Sequence, residues 1–323
     1  MKKLFSFFFI SYFLFISTIN GYSSHIIASG ENIGINLNSD YVIVIGSYDV
    51  GDFNILKDTS IQLGDKIKSI NGNLTRTIFD MQNVLDNLNN GDVTITYIRD
   101  GKESSIDVSL PYTTSGYKTG LYVKDNVKGV GTLTFIDPKT KIFGALGHEI
   151  LEKTTRSKFE ITDGTIYYSA VTGITKSKDG NPGEKNARSN SLDTYGNVSE
   201  NTSYGVFGIY THEINNSNLY KVAEPEEINL GDAKILTVTS GDEPMEYDIK
   251  ILRINQSSDT KNILFEVTDQ RLLNKTGGIV QGMSGSPIIQ GEYIVGAVNY
   301  VLVDDTEKGY GIFITNMLNE AEN

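Results

Sequence analysis

Cysteine and tryptophan are absent from this 323-residue chain, proline occurs 6 times and histidine 3 times. Without cysteine there is no disulfide, no thiolate metal site and no thiol nucleophile. Three histidines, His25, His148 and His212, leave little material for a histidine-built metal centre. No metal or organic cofactor is therefore expected. Positive charge is scarce as well: 28 Lys and Arg face 40 Asp and Glu, a net charge of −12. Capture of a phosphate backbone needs clustered cations, so nucleic acid is not an expected partner. Long apolar runs are lacking too. The stretch Leu4 to Ile19 would span about 24 Å as a helix, short of the roughly 30 Å hydrocarbon core.

That stretch follows Met1-Lys2-Lys3, and a positive start before a short apolar run reads as an export signal. Residues 1–28 are assigned to a signal peptide or signal anchor. Cleavage and retention both stay open, because no clean Ala-x-Ala follows. The rest of the chain is expected to work outside the cytoplasmic membrane and close to it.

Glycine (32), tyrosine (18) and phenylalanine (14) are plentiful, which points to turn-rich, mainly β structure. A first module, residues 30–112, combines strands with one helix. Tyr41, Val42, Ile43, Val44 and Ile45 form a β run closed by Gly46. Asn71-Gly72 marks a hairpin turn. Met81, Val84, Leu85 and Leu88 make one apolar helix stripe behind Thr77, a natural N-cap. A second module, residues 125–320, holds many short strands between turn residues, as in a barrel or sandwich. The polar stretch Lys176 to Thr202 reads as long surface loops within it.

Gly282-Met283-Ser284-Gly285-Ser286-Pro287 carries the chemistry. A serine nucleophile needs a tight turn that exposes its hydroxyl and leaves backbone N–H groups aimed at the oxyanion. Ser284 is the candidate nucleophile, ahead of Ser286, with the N–H groups of Gly282 and Ser284 as oxyanion donors. His148, ending the apolar strand behind Gly144-Ala145-Leu146-Gly147, is the candidate base. His25 and His212 fit structural or terminal roles. Asp163, Asp193, Asp232, Asp248, Asp259 and Asp269 all lie between His148 and Ser284, and spacing does not choose among them.

The first module resembles a PDZ domain through Leu63-Gly64-Asp65-Lys66-Ile67-Lys68-Ser69-Ile70-Asn71-Gly72, although the Gly-Leu-Gly-Phe loop of that family is missing. The resemblance implies that Tyr41 to Gly46 receives an added peptide strand. Gly144-Ala145-Leu146-Gly147-His148 and Thr276 to Pro287, with Gly131 to Pro138, Asn181-Pro182-Gly183-Glu184 and Gly309 to Ile314, resemble the stage IV sporulation protein B family of endospore-forming bacteria. These are PDZ-containing serine endopeptidases. By that resemblance the fold is a PDZ domain followed by a chymotrypsin-like double β-barrel. His148 is the base, Ser284 the nucleophile and Asp269 the residue orienting His148. The implied partners are protein substrates: the chain itself and a membrane-associated regulator of an intramembrane metalloprotease that processes pro-sigma-K. The implied place of action is the space between the two forespore membranes. Asn299-Tyr300 departs from the Thr-His of many relatives. Two other readings stand beside this one: a binding scaffold without catalysis, and a paralogous protease with another sporulation substrate.

Overall fold

The computed structural model describes residues 21–214 and 218–322, so the apolar run at Leu4 to Ile19 lies outside the described residues. In chain order the first elements are β1 (His25–Ala28), β2 (Asn32–Ser47), α1 (Ile55–Asp58), β3 (Lys66–Ile70), β4 (Asn73–Leu74), α2 (Ile78–Asp86), β5 (Asp92–Arg99), β6 (Lys102–Ser109), β7 (Tyr112–Thr113), β8 (Gly116–Tyr117) and β9 (Leu121–Ile136). Then come β10 (Ile142–Ala145), β11 (Asp163–Thr175), β12 (Glu184–Thr202), β13 (Gly205–Tyr210), β14 (Leu219–Val222), β15 (Gly231–Thr237), β16 (Met245–Ile254) and β17 (Ile263–Val267). The chain closes with α3 (Gln270–Thr276), β18 (Pro287–Gln290), β19 (Tyr293–Leu302), β20 (Asp305–Phe313) and α4 (Ile314–Ala321). The fold is mainly β, and every described strand except β7 and β8 joins one hydrogen-bonded network.

Local chemistry explains the first module. Thr77 caps α2 in a reciprocal capping box with Asp80, and the stripe turns Met81 and Leu85 into a core with Val42, Val44, Ile67 and Ile95. Asn71 and Gly72 take positive φ between β3 and β4, as do Asp100 and Gly101 between β5 and β6.

Three sequence expectations change. The body begins before residue 30. β1 pairs with β14 and β9, Ile26 and Ala28 are fully buried, and Ser23 donates from its backbone and hydroxyl to Asp137. Any export cleavage that spares this body falls ahead of Ser23. Next, the ranges 30–112 and 125–320 do not separate the two modules, because β2 and β9 run through both. Asn32 to Asn38 pair with Thr132 to Asn126, and Ile43 to Ser47 pair with Lys124 to Leu121. The first half of β2 also pairs with β11, so residues 32–38 belong to the larger body. Finally, much of the polar stretch Lys176 to Thr202 is strand, not loop. β12 pairs with β11 and β13, and backbone pairing needs no apolar side chains where a hairpin projects into water.

Tyr41 to Gly46 is interior to the sheet. Val42 and Ile43 pair with β3 on one side, and Ile43, Val44 and Gly46 pair with β9 on the other. Both edges are taken, so this segment cannot receive a peptide strand as the PDZ resemblance implied.

Candidate active site

Ser284 sits on the turn between α3 and β18, and His148 follows β10. Both line one cleft of about 600 Å³, with Leu146, Gln281, Gly282, Asn299 and Tyr300 among its walls. The structure thus brings together two residues far apart in sequence.

The serine turn is held by its carbonyls. Gln281 accepts from the Lys185 N–H (2.9 Å), Met283 from the Ser286 N–H (2.9 Å) and Ser284 from the Thr132 N–H (3.0 Å). Gly282 accepts from Thr132 Oγ1 and Gly285 from Thr134 Oγ1, each at 2.8 Å. A trans peptide points its N–H opposite the preceding carbonyl. Among the described residues, the N–H groups of Gly282 and Ser284 meet no protein acceptor. They are left free for an oxyanion. Gly282 and Gly285 adopt φ +94 and +92, which favour glycine. A Cβ on Gly285 would also sit 2.1 Å from the Thr132 carbonyl oxygen.

His148 points Nδ1 at the carbonyl oxygen of Glu149, 2.8 Å away. A carbonyl only accepts, so Nδ1 carries the proton in the neutral ring and Nε2 keeps its lone pair. The ring stacks on Tyr300, centroids 5.4 Å apart. Burial pushes the imidazole below its ordinary 6.5, against the opposing pull of the Glu149 carbonyl. The Ser284 hydroxyl donates to the Asn299 carbonyl at 3.2 Å. Asn299 itself is anchored through its amide to Thr260 and Gly147.

Asp269 is not brought to His148. It is the N-cap of α3 and accepts from the Arg271 backbone N–H. Both carboxylate oxygens are engaged by the Arg271 guanidinium, and Oδ2 also takes the Asp248 N–H. Those bonds, the Arg271 side chain first, hold its carboxyl down at about 2. The tautomer-fixing place expected of Asp269 is filled here by the Glu149 carbonyl. His25 lies in β1, and the His212 ring packs at a tilt against Tyr195.

Sequence reasoning did not single out Lys185, Thr132 or Thr134 for the site, whereas Asn299-Tyr300, named as a departure from the family, does line the cleft. One signal was present: threonines alternate with Leu133 and Phe135 in a strand buried on both faces. A polar residue in such a place needs a fixed partner, and the partner is the serine turn.

The SpoIVB peptidase S55 family matches residues 115–318. The chain belongs to that family. It is a serine peptidase, and the match embraces both His148 and Ser284. Among solved structures, the active form of the Rv3671c protease from M. tuberculosis is similar at 16% identity, over 61% of this chain and 74% of that one, with a TM-score of 0.34. No curated protein matches the chain.

Proposed function

We propose that this S55 peptidase is an exported endopeptidase that cuts its own chain and a membrane-associated regulatory protein during sporulation. The second cut frees an intramembrane metalloprotease to process pro-sigma-K. The observation that carries the endopeptidase reading is the cleft itself: a serine, a histidine with its lone pair on Nε2, and two unpartnered N–H groups on one turn. The sporulation setting rests on family membership.

Ser284 Oγ leaves the Asn299 carbonyl and attacks the peptide carbonyl carbon while its proton passes to His148 Nε2. The oxyanion lies against the N–H groups of Gly282 and Ser284. When the tetrahedral intermediate collapses, the C–N bond breaks and the imidazolium returns the proton to the leaving amine. Water, deprotonated by His148, then releases the acyl group and regenerates the serine.

In this reading the strands after Val130, together with β1 and residues 32–38 of β2, form the double β-barrel of a chymotrypsin-like enzyme, and the first module is a PDZ-type peptide binder. Its receiving edge is then Leu121 to Asp125, not Tyr41 to Gly46. This part of β9 pairs with β2 alone, and the Asp125 carboxylate accepts the Ile78 N–H at the start of α2. An added strand there lies between sheet and helix.

Mass spectrometry of the full chain and of Ser284→Ala, expressed in parallel, tests the reading. The unaltered chain is expected to yield discrete self-cleavage fragments that the variant lacks. Identical fragments from both would remove Ser284 from the reaction.

A further inference from the structure

Lys185, at the start of β12, is only 6% exposed. Among the described residues its Nζ meets two hydroxyls and no carboxylate: Thr237 Oγ1 at 3.0 Å and Thr132 Oγ1 at 3.4 Å. The single Thr132 hydroxyl proton goes to the Gly282 carbonyl, so Lys185 is the donor to Thr132. A relay therefore runs from Lys185 Nζ through Thr132 Oγ1 to the Gly282 oxygen. The lysine's backbone N–H binds the Gln281 carbonyl. Its aliphatic stem fills the space beside Gly282, where a Cβ would lie 3.1 Å from Lys185 Cδ.

A buried ammonium without a counter-ion is costly, and replacing such a group by an apolar one of similar size is often neutral or stabilising. Packing alone does not call for lysine here. What the lysine does reach is both peptide planes flanking Gly282. Its N–H turns the Gln281 carbonyl inward, which points the Gly282 N–H outward. Its amino group, through Thr132, turns the Gly282 carbonyl to the same side.

We propose that Lys185 is a positioning residue of the oxyanion turn: it holds the Gln281–Gly282 peptide so that the Gly282 N–H faces the cleft, and through Thr132 it holds the Gly282–Met283 peptide that joins this donor to the Ser284 peptide held by Ser286. This rests on the reading of Ser284 as nucleophile. The groups packed on Lys185 are Thr132 from β9, Thr237 from β15, and Gln281 and Gly282 from the turn; the neighbouring Glu184 on its own strand is exposed. Burial pushes the amine down to about 7. Its hold is therefore complete in mildly acidic solution and weakens as pH rises through about 7.

The test is the pH–rate profile of fluorophosphonate labelling for the full chain, Lys185→Met and Thr132→Val, with folding checked by circular dichroism. Methionine keeps the stem and the backbone N–H; valine keeps the volume of threonine and breaks the relay. Each folded variant is expected to label about 10²-fold more slowly, the scale of losing one oxyanion donor. In Lys185→Met the fall in rate above about pH 7 disappears, and only the acid-side rise set by His148 remains. Labelling of Lys185→Met at the full rate, or with its alkaline fall intact, overturns the role of Lys185. Loss of folding in Lys185→Met leaves Thr132→Val to decide: full-rate labelling there overturns the relay. If Ser284→Ala labels as well as the unaltered chain, the nucleophile assignment is what fails.

Discussion

His148 takes its orientation from its chain neighbour: Nδ1 donates to the Glu149 carbonyl oxygen at 2.8 Å. The proton is thereby held on the nitrogen that faces away from its task, and Nε2 is left as an acceptor. The rate of acylation should rise with pH as the imidazole loses its second proton, with a midpoint below the ordinary 6.5 because burial disfavours the cation. His148→Ala is expected to remain folded and lose at least about 10²-fold in labelling rate. Unchanged labelling in that variant returns His148 to a purely structural role.

Asp269→Asn separates the carbonyl-held histidine from a carboxylate triad. Asparagine caps helices about as well as aspartate, and the lost partner Arg271 is largely exposed. The stability cost should be about 1–3 kcal/mol, because the Asp269 carboxylate is itself buried and loses charge-assisted bonds. Because the native carboxyl titrates at about 2, below 3.8, its contribution is present above pH 3.8 and fades as pH falls toward 2. The labelling rate of the folded variant should stay within about threefold. Removing a tautomer-fixing Asp from a triad costs about 10⁴, and a loss of that size would place Asp269 beside His148 in the reacting state.

Glu152, buried four residues after His148, ties the histidine's loop to β9. It accepts from Lys124 Nζ at 3.1 Å and from the N–H groups of Thr154 and Thr155. Burial opposes its ionisation, but these donors prevail and hold its carboxyl below 4.5. A lowered native pKa means stability present above pH 4.5 and lost as acid protonates the folded state. Glu152→Gln should cost about 1–3 kcal/mol and flatten the acid side of the stability curve. An unchanged melting temperature would show that the loop does not depend on this tie.

Gly285→Ala should be more damaging. Its φ of +92 carries a penalty of about 1–2 kcal/mol for any L side chain, and the new methyl meets the Thr132 carbonyl. The expected result is loss of labelling together with a lower melting temperature. A variant that labels normally would show that the turn can be rebuilt without its β9 contacts.

The sequence made some of this legible. Thr77 with Asp80, Asn71-Gly72 and Asp100-Gly101 are local signals, and each acts within a few residues. The turn at Gly282 to Pro287 was visible for the same reason: its glycines are required by its own backbone. The partnership of Thr132 and Lys185 with that turn was not visible, because it crosses β9 and β12 and leaves no local pattern. Module boundaries were misplaced for a related reason. β2 and β9 each continue through two cores, and a continuous strand carries no composition break where one core ends. Asp269 sits at the start of a helix after a strand, and that spacing describes an N-cap as well as a catalytic acid.

The most direct measurement is peptide mapping of the fluorophosphonate adduct on the purified full chain. The account predicts a single adduct on the peptide carrying Ser284, formed at a rate that depends on His148 and absent from Ser284→Ala. An adduct on Ser286, or labelling that survives both substitutions, would contradict it.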